Sequence, residues 1–221
     1  MSLLVINSAS KVAQGAIKYL SKEGKYERIV CADLLHNYWG VQSQINFIGS
    51  QKEGSQLVDQ KISNKPDLIR AIQSADKVVY VTHDYFTNVA SKTKMINHVA
   101  EITKQYNKKL VAVTPKEHDH YGEPNANQTA TQSEKEARST NKDMTLIKSD
   151  LVFGFDSTVI SILTNHLQNS SNITWQPSQT GPAPIHSNCL SHSISSALEG
   201  DHQGKIFAAQ GKNRIGWENY S

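Results

Sequence analysis

The residues best suited to holding a ligand follow the first apolar run, Leu3–Ile6. In dinucleotide-binding folds this strand-to-helix turn carries G-x-x-G-x-x-G or G-x-G-x-x-G, because glycines let the backbone approach a pyrophosphate at the helix N-terminus. Here Asn7, Ser10 and Ala13 stand where the three glycines would be. All three are fairly small and asparagine tolerates positive φ, so we expect the turn geometry to persist, with close approach of a phosphate disfavoured. The candidate binding residues of this turn are Asn7, Ser8, Ser10, Lys11 and Val12.

Further candidates lie at the predicted carboxyl ends of later strands, where ligands bind to parallel sheets. Asp33 comes about 20 residues after the turn, at the place of the acidic residue that hydrogen-bonds a ribose 2′-hydroxyl. Its carboxylate would repel a 2′-phosphate, which favours NAD(H) over NADP(H). The alternative is a strand-end turn residue with no ligand. Thr82, His83 and Thr114 follow the fourth and fifth strands, and a polar surface loop is the alternative at His83.

Four potential metal ligands occur together in Glu117–His120. Their side chains could converge on a metal only in a suitable extended or turned geometry, with further ligands from elsewhere. The sequence has no second cluster of spaced ligands. We therefore predict a solvated polar loop and no metal site.

Apolar runs alternate with amphipathic segments through most of the chain, which predicts a doubly wound α/β fold with a parallel sheet covered on both faces. Residues 1–154 are predicted to form the Rossmann-like domain and residues 155–221 a reduced C-terminal lobe packed on it. Residues 116–131 are predicted to be a polar segment that precedes a helix around 133–138. The predicted strands are Leu3–Ile6, Arg28–Ala32, Gln56–Ile62, Lys77–Thr82, Leu110–Thr114 and Met144–Val152, and the predicted helices cover residues 12–20, 66–75, 88–106 and 133–138.

Charge and hydropathy limit the classes of partner and the compartment. The formal net charge is +3 over 221 residues, without a Lys/Arg block, so a nucleic-acid partner is not expected. No apolar run approaches the ~20 residues of a membrane span, so any membrane association would be peripheral. Lys11, Lys18 and Lys22 precede the first acidic residue, Glu23. Such a basic, acid-free start could serve as an uncleaved mitochondrial import signal, or it could be an ordinary basic helix.

Four stretches carry a resemblance to a known family. Ser74–Thr82 resembles the fourth strand of extended and atypical short-chain dehydrogenase/reductases. Residues 133–154 resemble the family stretch "GEKEVR … IIKPSDIFG", although Ser149 stands in place of its proline. Pro184–Leu190 resembles "PVYVVDV", and Gly204–Gly211 resembles "GKTFAFVG". Within the family, the chain is most similar to the Rossmann-type NAD(P)H-binding accessory subunits of mitochondrial respiratory complex I.

The resemblance also implies where catalytic residues would stand. The family's reaction needs a tyrosine four residues before a lysine on one helix face, where the lysine lowers the pKa of the tyrosine. Counted back from Glu134, these positions fall on Ala126 and Ala130, and the nearest tyrosine, Tyr121, is followed four residues later by Asn125. Thr114 could still orient a carbonyl group. The resemblance therefore predicts that the chain is not an enzyme.

Two functions follow from the resemblance. The first is a catalytically inactive accessory subunit of a mitochondrial respiratory assembly, most similar to complex I, bound to other protein subunits on the matrix side of the inner membrane. The alternative is a free-standing atypical short-chain dehydrogenase/reductase, cytoplasmic in location, acting as an NAD(P)-binding sensor or a reductase.

Overall fold

A computed structural model describes residues 1–34, 55–62, 64–82, 89–116, 126–154 and 183–212. Strands and helices alternate along these ranges. The strands are β1 (Ser2–Ile6), β2 (Arg28–Leu34), β3 (Gln56–Ile62), β4 (Lys77–Val81), β5 (Lys109–Pro115), β6 (Thr145–Ser149), β7 (Val152–Phe153), β8 (Ile185–His186) and β9 (Ile206–Ala209). The helices are α1 (Lys11–Glu23), α2 (Lys65–Ser74), α3 (Val89–Gln105), α4 (Ala126–Thr140) and α5 (Ser187–Glu199).

Seven strands form one parallel sheet in the order β3-β2-β1-β4-β5-β6-β9. The chain adds strands outward from β1 on one side and then returns to add β4 on the other, so the winding reverses between β1 and β4. Ligands bind at this type of reversal in open α/β sheets, outside the carboxyl ends of the strands. The predicted doubly wound Rossmann-like fold is confirmed.

Both faces of the sheet are buried, each under a different set of helices. Leu3 and Val5 of β1 belong to the core cluster that includes α1 and α5. Leu4 and Ile6 belong to the opposite cluster, which includes residues of α2, α3 and α4. Because successive side chains of a strand point to opposite faces, this alternation also decides which helices each residue near a strand end can meet.

Local signals fix the ends of the first two helices. The Ser10 side chain caps the start of α1, and Gly24 ends that helix with a φ of 65°, in the left-handed region that glycine tolerates. At α2 the cap is Asn64, whose side chain accepts the hydrogen bond from the Asp67 amide at 2.9 Å. Pro66 stands in the first turn, where its missing N–H costs no intrahelical bond.

The structure differs from the sequence prediction after β5. Helix α4 begins at Ala126, within the predicted polar segment and ahead of the helix predicted around 133–138. Its buried residues include Ala130, Ser133, Glu134 and Ala137, so small and polar side chains replace the apolar stripe that normally marks a helix. The strand predicted over Met144–Val152 is divided, because β6 ends at Ser149 and β7 pairs with β8 in a separate two-stranded sheet.

Elements from the 155–221 range join the main fold. Helix α5 packs beside α1, and β9 pairs with β6 as the edge strand of the seven-stranded sheet. The described part of this range therefore contributes to the Rossmann-like sheet and its cover. The domain boundary at residue 154 stays a prediction. None of the helices within the described ranges has the length and apolar character needed to cross a bilayer.

A polar cluster ties α5 to the amino-terminal edge of the sheet. Tyr26 is 1% exposed, and its hydroxyl donates to Glu199 Oε1 at 2.7 Å. Lys77 Nζ donates to the same oxygen at 2.9 Å. The hydrogen bond from Tyr26, followed by the interactions with Lys77, lowers the pKa of Glu199 below its ordinary value. The cluster thus satisfies a buried hydroxyl and holds the C-terminal helix against β4.

We predict that Glu199→Gln lowers the free energy of unfolding at pH 7 by about 1 kcal/mol, since a charged acceptor is lost from a partly exposed site. A depressed carboxyl pKa stabilises the fold above the ordinary value of 4.5 and loses that contribution as the pH falls through the lower folded value. Urea unfolding of both proteins at pH 7 and pH 3 should therefore show the difference shrinking at pH 3.

The control is Glu101→Gln, because Glu101 forms exposed pairs with Lys65 and His98, each at 3.8 Å, and these should contribute little at either pH. Equal losses for Glu199→Gln and Glu101→Gln at pH 7 would contradict the proposed contribution of the cluster.

Candidate functional site

The turn after β1 keeps the backbone shape that its sequence predicts. Asn7 has a φ of 64°, in the left-handed region, at the position of the family's first glycine. Its amide donates to Ala32 O at 2.8 Å, and the Ser10 amide donates to Asn7 O at 3.2 Å. The Asn7 side chain donates to Val81 O at 2.8 Å. Asn7 therefore supports the turn and also joins the ends of β1 and β4 at the winding reversal.

The N-terminus of α1 lies at the same edge. Ser10 Oγ accepts a hydrogen bond from the Ala13 amide at 3.1 Å, so the cap itself satisfies one of the orphan amides. Helical geometry leaves the amides of Lys11 and Val12, at the first two positions, without an intrahelical acceptor. Val12 is buried, whereas Lys11 is exposed. Two amides, the helix dipole and one cationic side chain can therefore meet an anion here.

Asp33, near the carboxyl end of β2, is bound to the same turn. Its Oδ1 accepts from the Ala9 amide at 2.8 Å and from Ser8 Oγ at 3.1 Å. Burial raises the pKa of the Asp33 carboxyl above its ordinary value, and the hydrogen bonds from Ala9 and Ser8 oppose that shift. The carboxylate thus helps to shape the turn and stands beside the site where an adenosine ribose would lie in a dinucleotide fold.

Two threonines lie at the same edge of the sheet. Thr82 follows β4, and Thr114 lies near the end of β5. The Thr82 amide donates to Val113 O at 2.8 Å, and its hydroxyl donates to the same oxygen at 3.1 Å. Thr114 is 2% exposed, and its hydroxyl finds no hydrogen-bond partner among the described residues. An unpaired buried hydroxyl costs about 1–3 kcal/mol. Thr114 is therefore a polar group whose partner is expected to come from outside the described fold.

An ion pair lies next to Thr114 in the sheet. Lys148 of β6 is the register partner of Thr114, and its Nζ is 2.7 Å from Glu134 Oε2 on α4. The side chains are 7% exposed for Glu134 and 27% for Lys148. Ala130, one helical turn before Glu134, is buried.

Lys148 and Glu134 are not among the site residues predicted from the sequence, although a signal was present. Lys148 is the one charged residue in the otherwise buried run Thr145–Ser149, and a charge in a central strand requires a partner. Identifying that partner as Glu134 required the packing of α4 on the sheet.

Most of the predicted site residues gather at one edge. Asn7, Ser8 and Asp33 are joined through the turn, and Ser10, Lys11 and Val12 form the adjacent helix start. Thr82 and Thr114 lie on the neighbouring strands across the reversal. Their roles in binding a cofactor stay predictions.

Some of the sequence candidates cannot be placed. His83 and Glu117–His120 lie outside the described residues, as does the side chain of Ala126. Within the ranges that the structure does describe, no three His, Cys, Asp or Glu side chains cluster closely enough to hold a metal ion.

Comparison with known proteins identifies the fold. No family model and no curated protein matches the sequence. A dTDP-glucose 4,6-dehydratase double mutant from Streptomyces venezuelae, solved with NAD bound, has a TM-score of 0.75 at 15% identity, over 99% of this chain and 78% of its own. A UDP-N-acetylglucosamine 4-epimerase from Bacillus cereus has a TM-score of 0.68 at 11% identity, over 99% and 81%. A dTDP-4-dehydrorhamnose reductase from Clostridium acetobutylicum has a TM-score of 0.66 at 10% identity, over 100% and 78%. The chain therefore shares its Rossmann-like α/β fold with these three proteins.

These structures correct the prediction that the chain is not an enzyme. The proteins that share its fold over nearly its whole length are a dehydratase, an epimerase and a reductase. The prediction depended on Ala126 and Ala130 alone. It considered only the two helix positions of the family's tyrosine and lysine, and no other element that could supply catalytic side chains. Folding also brings side chains from other elements to the same edge, as Lys148 of β6 shows. None of the three structures is a subunit of a respiratory complex.

We predict that Asn7→Ala lowers the free energy of unfolding by about 2 kcal/mol, because alanine is strained at positive φ and the bond to Val81 is lost. Asn7→Gly should lose less than half of that, since glycine accepts the left-handed conformation. Chemical denaturation of the two variants measures the difference.

Asn107→Ala is the matched control for strain alone. Asn107 has a φ of 50° and lies exposed after α3. If Asn7→Ala and Asn107→Ala lose equal stability, the hydrogen bond between β1 and β4 contributes nothing measurable.

Proposed function

We propose that the chain is a free-standing, atypical short-chain dehydrogenase/reductase-type enzyme that uses NAD(H). The observation that carries the proposal is the joined arrangement of the Asn7 turn, the start of α1 and Asp33 at the winding reversal of the sheet. Each part matches one portion of a dinucleotide. The NAD-bound dehydratase that shares this fold supports the same cofactor class.

The residues present fit such a cofactor at three places. The amides of Lys11 and Val12, with the helix dipole, would hold the pyrophosphate. Asp33 would accept hydrogen bonds from the adenosine ribose. The unpartnered Thr114 hydroxyl would form a hydrogen bond with the part of the cofactor that lies on the β5 side of the crevice. When bound, the cofactor supplies hydride transfer, and the chain's own residues bind and orient it.

The turn also sets a limit on that fit. Ser10 and Asp33 already accept hydrogen bonds from the amides of Ala13 and Ala9. Fewer amides remain for a phosphate than in a glycine-rich loop, and Asn7 and Ser10 add side-chain atoms there. We therefore expect a dissociation constant for NADH in the micromolar range or weaker, on the order of 10 µM to 1 mM.

Other features of the first hypothesis stay predictions. These are the mitochondrial matrix location, the contact with protein subunits of a respiratory assembly and the absence of a nucleic-acid partner. The noncatalytic role is replaced by the enzyme proposed above.

We predict that NADH binds better than NADPH, because the Asp33 carboxylate accepts from ribose hydroxyls and repels a 2′-phosphate. Titration calorimetry at pH 8 should show this preference in the wild type and a loss of most of it in Asp33→Asn, which keeps the size and an acceptor oxygen. Because the pKa of Asp33 is raised, its contribution to the preference should begin to weaken at a higher pH than that of an ordinary aspartate.

The control is Asp76→Asn, at the opposite edge of the sheet, where Asp76 accepts from the Ser2 amide at 2.7 Å. It should leave the preference unchanged. A wild type that prefers NADPH would refute the role of Asp33, and one that binds neither dinucleotide would refute the proposed function.

The enzymatic part is tested by following NADH absorbance against a panel of aldehydes, ketones and nucleotide-linked keto-hexoses. We expect turnover above background with at least one carbonyl substrate, and a decrease of roughly tenfold in kcat/KM in Thr114→Val, which removes one substrate- or cofactor-facing hydroxyl. NADH binding in the expected range without turnover on any panel member would favour a sensor over an enzyme.

A further inference from the structure

The start of α5 is capped by a side chain of an unusual type. The Asn188 amide donates to His186 Nδ1 at 3.2 Å, and His186 has the extended backbone of a cap residue, with φ −70° and ψ 140°. Helices α1 and α2 are capped by Ser10 and Asn64, which are residue types that helices prefer at this position. Helix α5 uses a histidine, although Ser187 and Asn188 follow it directly. Of these three caps, only that of α5 can gain a proton near neutral pH.

The proton state of the His186 ring decides whether this cap can form. Nδ1 accepts a hydrogen bond only while it carries no proton, because both ring nitrogens of an imidazolium ion are donors. A positive charge is also unfavourable at a helix N-terminus, where the helix dipole is positive. Histidine side chains titrate between about pH 5 and pH 8. The bond is made by the neutral ring, so the cap contributes at the upper end of this range and is lost as the pH falls.

The first turn of α5 is packed closely between two other elements. A Cβ added to Gly15 of α1 would lie 3.7 Å from Ser187 Cβ, and one added to Gly154, after β7, would lie 2.5 Å from Ser187 Oγ. His186 pairs with Phe153 of β7, and the two rings meet edge to face with their centroids 5.3 Å apart. Unwinding the first turn of α5 would therefore disturb its contacts with both α1 and β7.

We propose that His186 is a pH-sensitive cap, which holds the first turn of α5 against α1 and β7 when neutral and releases that turn when protonated. The other end of α5 stays attached to Tyr26 and Lys77 through Glu199, so the release is confined to the start of the helix. The inference goes beyond the proposed function, because the cap acts without a bound cofactor.

Charged groups around His186 act on its protonation in both directions. On the described elements that surround it, the titratable groups are Lys11, Lys18 and Tyr19 on the face of α1 that carries Gly15, Asp150 and Lys116 before β7, Lys212 after β9, and Cys189 and His192 on α5. The lysines oppose a further positive charge, whereas Asp150 favours it. The Asp150 carboxylate already accepts from the amides of Leu151 and Ala183, which weakens its effect on His186.

The experiment follows amide hydrogen–deuterium exchange by NMR at pH 7.5 and pH 5, with each rate corrected for intrinsic exchange. In the wild type, the protection factors of Asn188, Leu190 and Ser191 should fall about three- to thirtyfold at pH 5, the range expected for loss of a helix cap. Helix α2 is the internal control, because its Asn64 cap does not titrate. The protection factor of the Leu68 amide should change less than about twofold.

Three variants test whether the effect belongs to His186. His186→Asn supplies a capping oxygen that does not titrate, so the protection of the first turn should be equal at the two pH values. His186→Ala removes the cap and should give low protection at both. His192→Asn removes an exposed histidine of the same helix, whose Nδ1 lies 3.5 Å from Ser196 Oγ, and should keep the pH dependence of the wild type.

Each of several results would overturn the inference. One is a wild type with equal first-turn protection at pH 7.5 and pH 5, and another is a His186→Asn variant that keeps the pH dependence. Wild-type protection in His186→Ala at pH 7.5 would show that the cap contributes nothing. An equal fall in α2 would assign the loss to the whole fold. No dinucleotide is present in these measurements, so failure of the proposed function would leave them unchanged.

Discussion

The central position of β1 is the constraint on which the rest of the structure depends. This strand pairs with β2 on one side and β4 on the other, and Leu3–Ile6 are fully buried between two layers of helices. A strand in this position can end only at the winding reversal of the sheet. The residues that follow it must therefore turn at the crevice, whatever their types. The Asn7 turn, the start of α1 and the contact with Asp33 are all consequences of where β1 ends.

Polar groups are found at both edges of the sheet. At the amino edge, Tyr26, Lys77 and Glu199 satisfy one another, and they join the C-terminal helix to the sheet. Buried atoms without a hydrogen-bond partner among the described residues occur at both edges, for example Arg138 Nε at the amino edge and Thr114 Oγ1 at the carboxyl edge. The carboxyl edge is the candidate site because it carries the winding reversal, where open α/β sheets bind ligands.

The corrected prediction shows that motif positions counted along the chain cannot by themselves decide whether a protein is an enzyme. Ala126 and Ala130 occupy the positions that the family resemblance assigns to tyrosine and lysine. Both catalytic side chains are therefore still missing from these two positions. Whether another cation reaches the same region depends on which strand lies under α4. The pairing of β5 with β6 and the packing of α4 bring Lys148 to Glu134, one turn from Ala130. Lys148 precedes neither alanine in the chain and follows Ala130 by eighteen positions, so no local motif could indicate the contact.

The sequence by itself determined the parallel α/β alternation and the candidate turn with Asp33. These features depend on short-range chemistry: apolar periodicity and the tolerance of Asn7 for the left-handed conformation. Only the tertiary structure decided that α4 begins at Ala126, that β9 joins the main sheet and that Thr114 is an unpartnered hydroxyl beside Lys148. The buried face of α4 is made of small and polar residues, so its helical period is invisible until the sheet covers it. Likewise, an unsatisfied group is defined by everything that folds around it, which no stretch of sequence contains.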